Sequence, residues 1–159
     1  MSSESILICY DGSESVEHSF NAAAGVLAIR KAIVADIGPV LTEIESYAAV
    51  MPGSDIAFLE QANLDAALER AERGAELARR AGFDAEARAE LSAPTWEGIV
   101  DLADEVDAAV IVIGSCGLTG LRERLKRSVS HQVAEHSRRP VLIITPHHEH
   151  RRGLRCGGS

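Results

Sequence analysis

The chain has 159 residues, the length of one domain, and a formal net charge of −8. Hydrophobic residues make up 46% of it and aromatic residues 4%, which excludes an intrinsically disordered chain and predicts an aliphatic core. The acidic balance argues against binding to nucleic acid, and no apolar run approaches the roughly 20 residues of a membrane span.

The three cysteines, Cys9, Cys116 and Cys156, lie far apart in the sequence and form no CxxC pair. This spacing indicates neither a disulfide framework nor a zinc site. The first residues also lack the charged and apolar regions of a signal peptide. We therefore expect a protein of the reducing cytoplasm.

Two sequence patterns alternate along the first half of the chain. Apolar runs too short for a helix predict buried strands, and apolar residues spaced by three and four predict helices. The predicted elements are a strand over 5–10, a helix from Val16 to Leu27, a strand over 31–37, an irregular loop over 38–54 and a helix over 55–81. In the long helix, the predicted inner face consists of Leu64, Ala67, Leu68, Ala71, Ala75 and Ala78.

The second half continues this alternation and contains the most hydrophobic run of the chain. That run covers 108–114, and a strand so uniformly apolar is buried on both faces, as central parallel strands are. The other predicted elements are a strand over 83–91, a helix over 95–106, a helix over 128–138 and a last strand over 140–145. We expect residues 147–159, which are mostly polar, to form a disordered tail.

The order of the elements predicts an α/β fold in a single domain over 1–146. Strands that alternate with helices form a parallel sheet with helices on both faces, and right-handed crossovers restrict its winding. In a 3-2-1-4-5 order, the first and fourth strands are neighbours where the winding reverses, and ligands bind there at the carboxyl ends of the strands. The turn at Asp11 and the turn that begins at Gly114 are therefore the candidate site.

The turn after the fourth strand has the composition of a phosphate-binding loop. Gly114 and Gly117 allow the backbone to approach an anion closely. Ser128 stands at the predicted start of the next helix, where free N–H groups and the helix dipole favour negative charge. The pattern is neither a Walker loop nor a dinucleotide-binding fingerprint, and it predicts a split cradle with glycines on one side and a helix start on the other.

Two segments, one near each end of the chain, resemble the universal stress protein family, and a looser resemblance between them extends the match over about residues 5–146. They are ILICYDGSESVEHSFNAAAGVL near the start and AAVIVIGSCGLTGLRERLKRSVSHQVAEHSRRPVLIITP near the end. The resemblance implies a flavodoxin-like, Rossmann-like fold. Many members bind ATP through a motif of Gly, two residues, Gly, nine residues, Gly and Ser or Thr. Gly114, Gly117 and Ser128 match this motif, and Arg127 stands in place of its third glycine.

The resemblance also implies roles for three further residues. Asp11 corresponds to an acid that lies by the ribose, the phosphates and the metal, so it would act on Mg²⁺ indirectly, through the nucleotide. Ile37 corresponds to the position that meets adenine through its backbone. Val129 follows the phosphate-binding serine. The implied cofactor is ATP with Mg²⁺, and cyclic AMP is an alternative because some relatives bind it.

Arg127 leaves two interpretations open. In one, its side chain fills the phosphate space, and the chain is a nucleotide-free dimeric interaction protein. In the other, its guanidinium donates a charge-assisted hydrogen bond to phosphate. The resemblance implies an ATP-binding stress-response module that acts through ligand-dependent or dimer-dependent interaction.

The last strand forms an edge of the predicted sheet, and apolar edges are usually paired or covered. Family members often dimerise along this strand, so the resemblance implies a homodimer through 140–145. The sequence shows no nucleophile paired with a base, so we expect a nucleotide-binding protein rather than an enzyme. Slow ATP hydrolysis stays open.

Overall fold

Strands and helices alternate along the chain in the computed structural model, which describes residues 5–12, 17–28, 31–40, 55–114 and 128–145. Within these ranges the elements are β1 (Ser5–Cys9), α1 (Glu17–Val26), β2 (Lys31–Gly38), α2 (Ile56–Arg80), β3 (Asp84–Leu91), α3 (Thr95–Glu105), β4 (Ile111–Gly114), α4 (Val129–His136) and β5 (Val141–Ile144). The five strands form one parallel sheet in the order β3-β2-β1-β4-β5. The predicted fold class and strand order are confirmed.

Two sequence predictions fall largely outside the described ranges. The predicted loop over 38–54 is described only at 38–40 and at its border with α2, and the predicted tail over 147–159 is not described at all. The domain boundary at 146 therefore stays a prediction. None of the helices in the described ranges has the length and hydropathy needed to cross a membrane.

The sheet is buried on both faces at its centre. Leu7 in β1 pairs with Ile33 in β2 and with Ile111 in β4, so β1 lies between the strands that carry Ile37 and Gly114. Ile111 and Val112 are fully buried although neighbouring side chains of a strand point to opposite faces. This confirms the expectation that the most apolar run forms an interior parallel strand.

Each face of the sheet has its own hydrophobic core. On one face, Phe20 of α1 and the small residues of α2 pack with Ile6 and Ile8 of β1. On the other, Leu102 of α3 and Val133 of α4 pack with residues of β1, β2 and β4. Burial of this aliphatic surface is the main stabilising contribution to the fold.

The buried residues of the long helix α2 have one side-chain carbon or none. Asp55 caps its start by accepting a hydrogen bond from Ala57 N at 3.0 Å. Leu68 was expected to face inward, but it is 39% exposed, and Gly74 is buried instead. A Cβ atom at Gly74 would lie 2.6 Å from Tyr10 Cδ1, so the helix approaches the sheet too closely for leucine. The buried residues of this helix are Ala67, Ala71, Gly74, Ala75 and Ala78.

Candidate functional site

The strand register brings the ends of β1, β2 and β4 together at the carboxyl-terminal edge of the sheet, the border at which all of its parallel strands end. Cys9 pairs with Ala35 of β2 and with Ile113 of β4. Asp11 lies two residues beyond Cys9, Ile37 lies two residues beyond Ala35, and Gly114 follows Ile113. Because the strands are parallel, these three predicted site residues lie at the same edge.

The start of α4 lies at this same edge. The helix runs back across the sheet and is followed after four residues by β5, which starts at the opposite edge beside β4. Ser128 is the N-cap: its backbone is extended and its Oγ accepts a hydrogen bond from His131 N at 3.2 Å. Its Oγ also lies 3.2 Å from Oγ of the buried Ser130. Val129, the first residue of the helix, is exposed.

Two members of the predicted motif, Gly117 and Arg127, lie outside the described residues. Their roles, including the two interpretations of Arg127, therefore stay predictions. The structure brings together Asp11, Ile37 and Gly114 through the sheet, and the helix start adds Ser128 and Val129 at the same edge.

An ion pair lies beneath the turn that follows β1. Arg70 of α2 reaches Asp36 near the end of β2, with Nε 2.5 Å from Oδ2. The side chain of Asp36 is only 6% exposed. Gly12 has φ +82°, and a Cβ atom there would lie 3.1 Å from Arg70 Cδ. The arginine stem therefore lies against the backbone of the turn while its head holds the buried carboxylate.

At the ends of β1 and β2, the surroundings favour the protonated, uncharged forms of the Asp36 carboxyl and the Cys9 thiol. Burial raises the pKa of Asp36, the hydrogen bond and charge of Arg70 lower it, and the nearby charge of Asp11 raises it, with a net rise. Burial, helped by the charge of Asp36, raises the pKa of the Cys9 thiol from an ordinary 9.0 to about 12. The ends of β1 and β2 thus carry two neighbouring carboxylates, Asp11 and Asp36, of which Asp36 is paired with Arg70. Hydroxyl donors or cations suit this half of the site better than phosphate, which suits the start of α4.

Asp36 and Arg70 are not among the site residues predicted from the sequence. A signal for the first was present, because Asp36 is a single carboxylate inside the apolar run of the second strand, and buried carboxylates need a partner. A signal for the second was the helical spacing, since Arg70 lies three residues from Ala67 and four from Gly74, both of which face the sheet. No sequence pattern indicates that Asp36 and Arg70, which are 34 positions apart, form a pair.

The described parts of the chain contain no group of three His, Cys, Asp or Glu side chains that could hold a metal ion. The role expected for Asp11 is indirect, through a metal that arrives with a nucleotide. Asp11 is exposed at the strand end, and its carboxylate is the kind of ligand that Mg²⁺ prefers. This role stays a prediction.

Comparisons with known proteins agree on one family. The sequence model of the universal stress protein family matches residues 3–145. A Staphylococcus aureus (strain USA300) protein named as a universal stress protein is 30% identical over 142 residues, which cover 89% of this chain and 83% of that protein. Universal stress protein YxiE of Bacillus subtilis (strain 168) is 40% identical over 73 residues, which cover 46% of this chain and 49% of that protein.

A solved structure of similar fold carries a ligand. It is the crystal structure of a universal stress protein in complex with cAMP, and it is 29% identical to this chain with a TM-score of 0.63. The match covers 92% of this chain and 100% of that one. The shared fold agrees with the parallel sheet and strand order described above.

Proposed function

The chain belongs to the universal stress protein family, and on this basis we propose that it binds an adenine nucleotide where β1, β2 and β4 end. The observation that carries the proposal is the strand register, which places Asp11, Ile37 and Gly114 at one edge of the sheet. A relative of the same fold was crystallised with cAMP, which supports a nucleotide as the class of ligand.

The phosphate is proposed to bind between Gly114 and the start of α4. Gly117 would complete the glycine side of this cradle, and the hydroxyl of Ser128 with the backbone N–H of Val129 would form the other side. Helix N-termini favour anions because their first N–H groups have no partner within the helix. Ser128 Oγ accepts from His131 N, and its proton would be donated to a phosphate oxygen when Ser130 Oγ is the donor in the contact between the two hydroxyls.

The sugar and the base are proposed to lie at the ends of β1 and β2. Asp11 would accept hydrogen bonds from ribose hydroxyls, and the backbone of Ile37 would meet adenine. The carboxylates of Asp11 and Asp36 repel phosphate from this end, which supports the same orientation. The charge distribution therefore distinguishes two halves of the site.

We propose ATP with Mg²⁺ as the ligand, and cyclic AMP is the alternative. With ATP, the carboxylate of Asp11 would help to hold the metal, which neutralises phosphate charge. Arg127 would either donate to phosphate or occupy its place. Nucleotide binding would then bias the interaction surface of the protein, without a catalytic role.

A second candidate function is a nucleotide-free dimeric interaction protein, and the exposure of β5 favours it. This strand forms an edge of the sheet, and Ile143 in its middle is 41% exposed. Apolar edge strands are usually paired or covered, so a homodimer through 140–145 would bury this residue. The dimer is compatible with either function.

Ligand-induced stabilisation tests the nucleotide proposal. Thermal unfolding is measured with ATP, ATP plus Mg²⁺, cyclic AMP and adenosine. A bound ligand at 100 times its Kd should stabilise the fold by about 2.7 kcal/mol. Absence of stabilisation by every nucleotide, together with absence of nucleotide in the purified protein, contradicts the proposal.

Substitution of the capping serine locates the phosphate. Ser128→Ala should weaken nucleotide binding on the order of 10-fold, because it removes one donor to phosphate. Ser137→Ala is the matched control, since Ser137 lies at the other end of α4 and its Oγ accepts from Arg139 N at 3.0 Å. Both variants lose a hydroxyl that caps backbone, and only Ser128→Ala should change the Kd in calorimetry. Equal affinities in the two variants would refute the assigned phosphate position.

Two further variants separate the candidate functions. If Arg127 blocks the phosphate, Arg127→Gly creates nucleotide binding that the parent chain lacks; if Arg127 is a ligand, the same change weakens binding.

For the dimer, Ile143→Lys should yield monomers in sedimentation velocity at micromolar concentration. Val26→Lys, which makes the same change at an exposed position of α1, should leave the dimer intact. A monomeric parent chain would refute the dimer.

A further inference from the structure

We propose that Arg70 is a positioning residue of the nucleotide site, which holds the Asp11–Gly12 turn against the end of β2 through its ion pair with Asp36. The inference rests on the proposed function, because that turn and Ile37 are proposed to contact the ligand. Neither Arg70 nor Asp36 belongs to the family motif matched in the sequence.

The head group of Arg70 is anchored by a buried carboxylate. Nε of Arg70 donates to Oδ2 of Asp36 at 2.5 Å, and the carboxylate is almost completely buried. Water cannot replace the guanidinium at such a site without opening the contact between α2 and the sheet. The head of Arg70 is therefore held in one place.

The aliphatic stem of Arg70 lies against the turn that follows β1. The position that a Cβ of Gly12 would occupy is 3.1 Å from Cδ and 3.7 Å from Cγ of Arg70. Two methylene groups thus lie against the one residue of the turn that has no side chain. The positive φ of Gly12 allows the chain to bend beneath them.

The turn is also connected to β2. Tyr10 N, just before the turn, donates to Ala35 O at 2.9 Å, and Asp36 follows Ala35. Neighbouring strand residues face opposite sides: Asp36 meets Arg70 on the α2 side, and Ile37 packs with Ile99 of the α3 side. Backbone hydrogen bonds join β1 to β2 as far as Tyr10, and Arg70 extends this connection to the turn by linking Gly12 to Asp36.

The geometry indicates positioning rather than direct binding. Nε of Arg70 is already committed to Asp36, and the neighbouring charges are the carboxylates of Asp36 and Asp11. A nucleotide phosphate would meet net negative charge here, whereas the start of α4 offers a favourable position. The contribution of Arg70 to binding is the pre-organisation of the turn.

The test compares two arginines of the same helix. Arg70→Met keeps most of the stem and removes the head; Arg79→Met does the same where Arg79 Nε and Nη2 donate to Ala85 O at 3.1 and 2.8 Å. Ala85 lies at the start of β3, at the opposite edge of the sheet. In calorimetry with ATP and with cyclic AMP, Arg70→Met should raise the Kd on the order of 10-fold and Arg79→Met should leave it unchanged.

A second readout needs no ligand. Hydrogen–deuterium exchange should be faster in Arg70→Met than in the parent chain at the amides of residues 10–12 and 36–37, and unchanged there in Arg79→Met. If the parent chain binds no nucleotide, the proposed function fails, and exchange at these amides still tests the positioning role. Unchanged exchange at these amides in Arg70→Met overturns the inference, as does an unchanged Kd in a parent that binds.

Arg70→Lys covers the case in which Arg70→Met does not fold. Lysine keeps the positive charge and most of the stem, but it lacks the planar donor group. We expect an intermediate Kd and intermediate exchange at residues 10–12. Values equal to those of the parent chain in both measurements overturn the inference.

Discussion

Arg70 and Arg139 both hold neighbouring parts of the fold together, Arg70 where the strands end and Arg139 where they begin. The two arginines differ in their partners. Arg70 has a single carboxylate partner whose side chain is 6% exposed. Arg139 donates to Asp104 and Asp107 at 2.8 and 2.9 Å and to the carbonyl of Ala108, and these carboxylates are 51% and 66% exposed. Water can replace Arg139 at its carboxylates but has little access to Asp36. At the candidate site, Asp36 therefore depends on Arg70 as the one cation that can stabilise it.

The largest difference should appear when each arginine loses its head group. Arg70→Met should lower the free energy of unfolding by about 3 kcal/mol, because it leaves a buried carboxylate without its cation. Arg139→Met should lower it by about 1 kcal/mol, because its carboxylates become hydrated. Urea denaturation at neutral pH measures both values. Equal losses would show that the burial of Asp36 does not decide the strength of this contact.

Two glycines with positive φ give a sharper comparison of the turn itself. Gly12→Ala and Gly82→Ala both place a side chain in the left-handed region, at φ +82° and +102°. Only at Gly12 would the new Cβ meet a neighbour, the anchored stem of Arg70 at 3.1 Å, whereas at Gly82 nothing lies within 4 Å. We expect losses of about 2 kcal/mol for Gly12→Ala and about 1 kcal/mol for Gly82→Ala.

Thermal or urea unfolding of the two alanine variants provides the measurement. The excess cost at Gly12 should shrink when Arg70 is also replaced by methionine, since the stem is then free to move aside. An excess that persists in this background would mean that the backbone, and not the arginine stem, is the source of the cost.

The smallest effect concerns pH. The pKa of Asp36 is raised above the ordinary 3.8, mainly by burial, so the folded protein holds this proton more tightly than the unfolded chain does. The associated stability is fully present below the ordinary pKa and is lost as the pH rises through the raised one. Asp36→Asn removes this dependence and keeps an oxygen that can accept from Arg70 Nε.

The melting temperature of Asp36→Asn minus that of the parent should therefore become more positive between about pH 4 and about pH 7. Parallel scans of the two proteins in the same buffers measure this difference. A difference that becomes more negative over this range would mean that Arg70 lowers the pKa of Asp36 more than burial raises it.

The fold was largely predictable from local patterns. The apolar run over 108–114 predicted an interior strand, because a parallel strand covered on both faces buries apolar side chains at successive positions. Leu68 shows the limit of periodicity: it continues the apolar spacing of α2 but lies at the margin of a buried face that consists of alanines and Gly74. The distance between a helix and the sheet depends on the surface against which the helix packs. The spacing of apolar residues along the helix does not determine this distance.

The candidate site was predictable in part. Residues placed by strand ends, such as Asp11 and Gly114, follow from topology alone, since parallel strands end at one edge. The pairing of Asp36 with Arg70 did not follow, because it depends on the rotation of α2 about its own axis. That rotation is set by packing along the whole helix rather than by residues near either partner.

The inner face of α2 also determines how this protein can drift in sequence. Its buried residues carry one side-chain carbon or none, so a substitution can add atoms there and can remove almost nothing. Mutation of these helix residues can overpack the contact but cannot hollow it. The β1 residues on the same face, Ile6 and Ile8, are large and fully buried, so the common substitutions there leave cavities. The helix side and the strand side of one core are therefore exposed to opposite mutational hazards.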